Sequence, residues 1–186
     1  MKSVLISIQP KWCELIVSGK KTVEVRKTKP KLETPFKCYI YCTNGGKDVF
    51  YRSDYSYDDI LYTPKHKAEC KKRLEENGHK VYNGKVIGEF VCDKLYMIRY
   101  SCGSYRCDGL TRIENDRLAS ASRLSLSDMR NYLLCENGYA WHITNLVIYE
   151  RPKELSEFNH CGVNYHFNPP ITKPPQSWCY VEEVST

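Results

Sequence analysis

The sequence has no apolar run long enough to cross a membrane, no C-x-x-C pair, no glycine-rich phosphate loop and no internal repeat. Each absence closes off a class. The first apolar run, Val4 to Ile8, stops at Gln9-Pro10 and is too short for the core of an export signal, and no later run approaches the roughly 20 residues of a spanning helix. The expectation is a protein that stays in the cytoplasm and binds no membrane. With no export signal and no tight cysteine pair, the ten cysteines do not read as a disulfide framework, and most are expected to be free thiols. The missing Walker and dinucleotide patterns argue against a doubly wound parallel sheet around a nucleotide cofactor. No cofactor and no metal is expected.

Cys38 and Cys42 share a strand parity with Ile40, while Cys92 and Cys179 lie inside Phe90-Val91-Cys92 and Trp178-Cys179-Tyr180. Packing as small apolar side chains accounts for them. Cys102, Cys107, Cys135 and the pair His160-Cys161 could gather around zinc, but no close ligand pair anchors such a site.

At 186 residues the chain is long enough to bury a core and reads as one domain, 1–186, with an insertion at 44–83. The net charge of +6 is placed unevenly. Between Met1 and Lys37 there are nine basic residues, among them Lys11, Lys20, Lys21, Arg26, Lys27, Lys29 and Lys31, against Glu14, Glu24 and Glu33. That surplus equals the surplus of the whole chain and suits a phosphate-bearing partner. A solvated loop around Lys27 to Lys31 is the plainer alternative.

Val4 to Ile8 reads as a strand, and Pro10 then opens a helix whose apolar face is Trp12, Leu15 and Ile16, closed at Gly19. Thr22 to Arg26, Phe36 to Thr43 and Lys85 to Asp93 read as strands, the last entered from an Asn83-Gly84 turn. Asn44 to Tyr62 has no clear pattern, and Pro64 to Asn77 reads as an exposed helix closed by Gly78. Leu95 to Arg99 continues the sheet, and Cys102 to Ser122 reads as a long connection. Ser125 or Ser127 caps a short helix through Leu134, ended near Gly138. Tyr139 to Tyr149 and Trp178 to Val181 are the late strands, and Asn159 to Pro175 is a proline-rich loop unfit for a central strand. Short strands interrupted by a few helices favour an α+β fold, a small mixed or antiparallel barrel with helices at its rim.

The stretch GKKTVEVR, Gly19 to Arg26, is the feature that carries chemistry. Strand alternation places Thr22, Glu24 and Arg26 on one face, with Val23 and Val25 directed to the core. Glu24 and Arg26 are then neighbours, able to pair or to offer a ligand an acceptor and a fork of donors. A surface ion pair beside a solvated lysine is the bland reading of the same residues.

The pattern G-x-K-x-x-E-x-R, filled by Gly19, Lys21, Glu24 and Arg26, resembles the hallmark of the ASCH domain, in the PUA-like superfamily. The preceding Pro-x-Trp-x-x-Leu-Ile helix, the segments GKVIGEF and YAWHITNLVIYERPKEL, and the ending PPQSWCYVEE are similar to it too, the last to proteins encoded by phages and prophages. The resemblance covers Met1 to Thr43 and Gly84 to Glu183. It implies a mixed β pseudo-barrel with short helices at the rim and a cleft beside the motif that binds RNA or a modified nucleoside.

In that cleft Lys21 and Arg26 would donate to phosphate or a base carbonyl, and Glu24 would accept from an exocyclic amine. Lys11, Lys20, Lys27 and Lys29 would add backbone contacts. Trp12, Trp141, Trp178 and Tyr41 are the stacking candidates, Trp141 foremost because polar His142 and Thr144 neighbour it. His142 itself reads as a satisfied sheet histidine.

The resemblance also implies an enzymatic alternative. One ASCH branch hydrolyses N4-acetylcytidine with the motif lysine and a threonine that stands where this chain has Glu24; Thr22 is two residues earlier. Others are reported as ribonucleases, for which Lys21, Glu24 and Arg26 would supply a general base and phosphate stabilisers without a metal; for an enzyme of either kind the catalytic candidates are Lys21, Glu24 and Thr22. A third expectation, from the tyrosine-rich 48–62 loop, is a phage protein that binds a host protein.

Overall fold

In the structure, a computed structural model, residues 1–162 and 168–184 are described. The chain forms two compact units, each assembled from separated stretches.

The first unit comprises Met1–Val17, Lys37–Phe90 and Leu146–Thr186. Its frame is a mixed sheet in the order β11 (Thr144–Lys153), β7 (Val86–Cys92), β3 (Phe36–Cys42), β1 (Lys2–Ile8), β12 (Trp178–Glu182). β1 lies parallel to β3, with Ile6 opposite Ile40, and antiparallel to β12, with Leu5 opposite Cys179. Leu5, Tyr39, Tyr41, Val86, Phe158, Ile171 and Val181 pack as one cluster. Near it, the Glu89 carboxylate accepts from the Tyr149 hydroxyl at 2.5 Å and pairs with Lys37 at 3.1 Å. Burial, and then Glu89, push the Tyr149 phenol well above its ordinary range.

α1 (Pro10–Val17) starts at its proline, with Gln9 carbonyl accepting from Trp12 and Cys13, and Gly19 beyond it has φ +70°. Its buried face is Pro10, Cys13 and Ile16, so the expected Trp12–Leu15–Ile16 face is rotated; Trp12 and Leu15 are only half-buried.

The patternless stretch from Asn44 holds two strands, β4 (Val49–Arg52) and β5 (Asp59–Tyr62), which with β6 (Lys80–Val81) make a second sheet in the order β5-β4-β6. Only Val49 and Phe50 of β4 are buried, which is why the strands carry no visible alternation. α2 (Lys67–Glu76) buries no residue, as its charge predicts. Of the Asn159–Pro175 loop, 163–167 lie outside the described residues, and the remainder makes isolated bridges, Asn159 to Pro170 and His160 to Val181.

The second unit comprises Ser18–Phe36 and Val91–Asn145. Its antiparallel sheet has the order β2 (Val23–Arg26), β10 (Gly138–His142), β8 (Leu95–Ser101), β9 (Ser104–Cys107). The expected connection from Cys102 to Ser122 is instead the hairpin strand β9 and a helix, α3 (Arg112–Ser122), opened by a Thr111–Glu114 capping box. α4 (Leu126–Leu133) is capped by Ser125 with Asp128 and closes at left-handed Leu134, where the sequence reading ends it, while Gly138 opens β10. The expected strand from Tyr139 to Tyr149 is broken at Ile143 into β10 and β11. One face of the sheet, with Val23, Val25, Ile98, Cys107 and Ala140, packs on Met129 and Leu133 of α4, with Leu118 and Ala121 of α3 against it.

The fold is therefore mixed α+β with three sheets. No helix among the described residues is long and apolar enough to cross a membrane. All ten cysteines are free, and five are buried: Cys13, Cys38, Cys42, Cys92 and Cys107. Burial pushes Cys92 up to about 12 and Cys107 and Cys179 up to about 11, so these thiols stay protonated and unreactive at neutral pH. No group of three His, Cys, Asp or Glu placed to hold a metal ion occurs among the described residues.

Gly88 marks the closest packing in the first unit. A Cβ there would stand 2.3 Å from the Val147 carbonyl oxygen and 3.1 Å from Ile148 Cα, both backbone atoms that cannot swing aside. Gly88→Ala should lower the unfolding free energy by about 1–3 kcal/mol in urea melts, and an unchanged midpoint would contradict this packing.

Candidate functional site

β2 is short because the chain before it is held by helix α3. Thr22 N–H donates to the Ala121 carbonyl at 3.1 Å, and the Thr22 carbonyl accepts from Ile143 at 2.9 Å. Arg123 Nε donates to the Lys20 carbonyl at 2.6 Å. These bonds seat Lys20 to Thr22 against the C-terminal end of α3 before the strand begins at Val23.

Lys21 is thereby turned inward. Its Nζ donates to the carbonyl of Ser122, the last residue of α3, at 2.6 Å. A helix C-terminus presents carbonyls with no intrahelical partner and the negative end of the macrodipole, so an ammonium is well placed there. The same nitrogen lies 3.2 Å from Glu24 Oε2, and Arg26 Nη2 lies 3.0 Å from Glu24 Oε1. One carboxylate thus stands between two cations.

The three residues are buried, with 2% exposure for Lys21 and 6% each for Glu24 and Arg26. All four positions of β2 are buried, so the ion pair is not the surface pair beside a solvated lysine of the bland reading. Cross-strand register explains the second layer. Glu24 is opposite Trp141 and Arg26 is opposite Tyr139, so these four share the sheet face that the helices do not cover. Burial lowers the pKa of Lys21; Glu24 opposes that shift and Arg26 adds to it.

The remaining sequence-predicted residues fall in several places. Lys20, Lys27 and Lys29 are exposed in the second unit, Lys27 over the Tyr132 ring at 5.8 Å and Lys29 over Tyr139 at 5.6 Å. Lys11 is in the first unit, over its neighbour Trp12 at 4.4 Å. Thr22 is exposed, while Lys21 and Glu24 are buried, because the strand starts one residue after it; it lines a hollow of about 260 Å³ with Val23, Tyr96, Ala121 and His142. Trp141 is fully buried and meets Phe36 edge-on at 5.7 Å between centroids, a core aromatic rather than an open stacking platform. Tyr41 is also buried, and Trp178 packs edge-on with Tyr180.

Two partners escaped the sequence. The Ser122 carbonyl, 101 residues from Lys21, carries no side-chain signal at all. His142 pairs through Nδ1 with Asp93 at 2.7 Å, 49 residues away, and this is the satisfied sheet histidine of the sequence reading with its partner now named.

The ASCH domain family model matches residues 6–55, a span that includes the whole motif and runs into the 44–83 segment. No curated protein matches the chain. Among solved structures, ASCH from Zymomonas mobilis superposes with a TM-score of 0.55 at 20% identity, covering 97% of this chain and 88% of that one. A variant of the same protein with a tyrosine replaced by phenylalanine gives 0.55 at 20% identity, with 98% and 92% covered. A serine-to-alanine variant gives 0.54 at 19%, with 97% and 89% covered.

Charge balance in the cluster makes a test. Glu24→Gln leaves two buried cations without their carboxylate and should cost about 3–5 kcal/mol, whereas Lys21→Met leaves the Glu24–Arg26 pair intact and should cost less. Because the folded pKa of Lys21 lies below its unfolded value of 10.5, the unfolded chain binds more protons in that window. Wild type should therefore gain stability relative to Lys21→Met as pH rises toward 10.5. Equal costs, or parallel pH profiles in denaturant melts, would contradict the arrangement. Residues 6–55 match the ASCH domain, and the chain has the fold of an ASCH domain protein.

Proposed function

We propose that the protein binds RNA or a modified nucleoside at the Lys21–Glu24–Arg26 cluster. The observation that carries this reading is the convergence of two cationic side chains on one carboxylate in a buried cluster. Lys21 and Arg26 both reach Glu24 within 3.2 Å, in surroundings where desolvation strengthens each polar contact. An anionic oxygen, or a base edge offering acceptors to Lys21 and Arg26 and a donor to Glu24, matches these groups in charge and hydrogen bonding. Exposed Lys20, Lys27, Lys29 and Lys31 belong to the same unit and supply backbone contacts of the kind that dominate affinity for nucleic acid. The ASCH match over residues 6–55 supports the same class of ligand. A cytoplasmic setting, where thiols stay reduced, suits the ten free cysteines.

The lowered pKa of Lys21 favours a second reading, in which the same cluster is hydrolytic. A lysine that loses its proton more readily than usual can act as a general base without a metal, with Arg26 holding the developing negative charge. Thr22, exposed outside the cluster, is not used in this version.

Both readings meet in one experiment: anisotropy titrations of labelled single-stranded RNA across salt concentrations, wild type beside Lys21→Met, with every sample also run on a denaturing gel. Binding should weaken about tenfold or more in the variant, and the salt slope should fall by about one. Cleavage lost with Lys21 would establish the hydrolase. Affinity and slope unchanged in a folded Lys21→Met protein would overturn the site.

A further inference from the structure

The first unit holds a polar cleft that the Lys21 cluster does not use. Its volume is about 880 Å³, toward the upper end of the roughly 300–1,000 Å³ typical of ligand sites. His79, Lys80 and Lys85 line one stretch of it, and Arg151 and Lys153 another. Glu75, Glu154 and Glu157 also reach it, with Glu154 held by Lys85 at 3.1 Å.

The surrounding segment is basic. From Lys65 to Lys85 there are seven Lys and Arg residues against Glu69, Glu75 and Glu76, a local surplus of +4 that the near-neutral sum over the rest of the chain conceals. Lys72 and Arg73 lie on α2, which buries nothing.

Aromatic rings sit on this charge. His79, a cleft residue, lies 5.3 Å from the Tyr55 ring and 5.7 Å from Tyr51, and its Nδ1 accepts from the Asp54 amide at 3.2 Å. Tyr55 is 83% exposed and Tyr57 is 76% exposed on the turn between β4 and β5. A large ring left this open buries little area on folding, and its exposed face is available to a planar partner. Rings beside a cationic groove are what a single strand requires: bases stack on the rings as phosphates follow the charge. A duplex would keep its bases stacked on each other and leave the rings unused.

We propose that this cleft and the Tyr51–His79–Tyr55 ring group form a second binding surface for single-stranded nucleic acid, with phosphates at Lys80 and Arg151 and a base on Tyr55. The surface lies wholly within the first unit and stands independently of the Lys21 reading.

The test uses a fluorescent uridine 12-mer and the matched deoxythymidine 12-mer with four full-length proteins: wild type, Lys21→Met, Tyr55→Ala and the double variant Lys80→Glu/Arg151→Glu. The altered positions of the last two are exposed, and circular dichroism confirms their folding. Tyr55→Ala should weaken binding by about tenfold, and the double variant should weaken it further and flatten the salt slope. Both effects should persist when the same changes are combined with Lys21→Met in two further proteins, which separates this surface from the motif. Ultraviolet cross-linking of wild type should give nucleotide adducts on peptides containing Tyr55 or His79. Unchanged affinity in both surface variants, adducts found only elsewhere, or a role of Tyr55 confined to capture of a protein would overturn the proposal.

Discussion

Lys21, Glu24 and Arg26 leave water together, and the second unit is organised around that fact. A single carboxylate neutralises one of its two cationic neighbours, and the Ser122 carbonyl and the negative end of α3 compensate the other. This ties β2, Val23–Arg26, to a helix that begins only at Arg112, far later in the chain. The Thr22–Ala121 and Arg123–Lys20 bonds fix the same junction from either side of the lysine. A disturbance of the helix end therefore reaches the charged cluster directly.

The opposite faces of β2 have separate tasks. Val23 and Val25 close the core beneath α3 and α4, whereas Glu24 and Arg26 share their face with Trp141 and Tyr139. A large fully buried ring beside an ion pair lowers the local polarity and strengthens every interaction the charges make. Trp141 thus contributes by holding the cluster dry.

Much of this was legible locally. The motif occupies eight consecutive residues, and the helix from Pro10 and the cap at Ser125 are signalled by single residues with strong backbone preferences. Burial of Cys38, Cys42 and Cys92 was readable from their apolar neighbours, whereas that of Cys13 and Cys107 was not. Depth was not readable: parity gave Arg26 as a neighbour of Glu24 but did not fix the direction of Lys21, and nothing in VEVR distinguishes a strand open to water from one buried throughout. α3 was missed because RIENDRLASAS is polar on most of its surface, although Thr111 and Glu114 spell its capping box. The strands β4 and β5 escaped because their exposed faces carry tyrosines and charges in no regular order. The ring group at Tyr55 depends on His79 arriving from beyond α2, a contact that only the fold supplies.

The central claim is that the buried charges meet the ligand rather than merely each other. Side-chain NMR of the Lys21 ammonium and Arg26 guanidinium, in protein labelled with nitrogen-15 and titrated with short single-stranded RNA and with nucleosides, tests it most directly. A ligand at the cluster should shift both signals along one saturable curve, with the protection of the Lys21 protons from exchange changing in step. RNA that binds while both signals stay unperturbed would make the cluster a structural cap on α3 and move the binding site elsewhere.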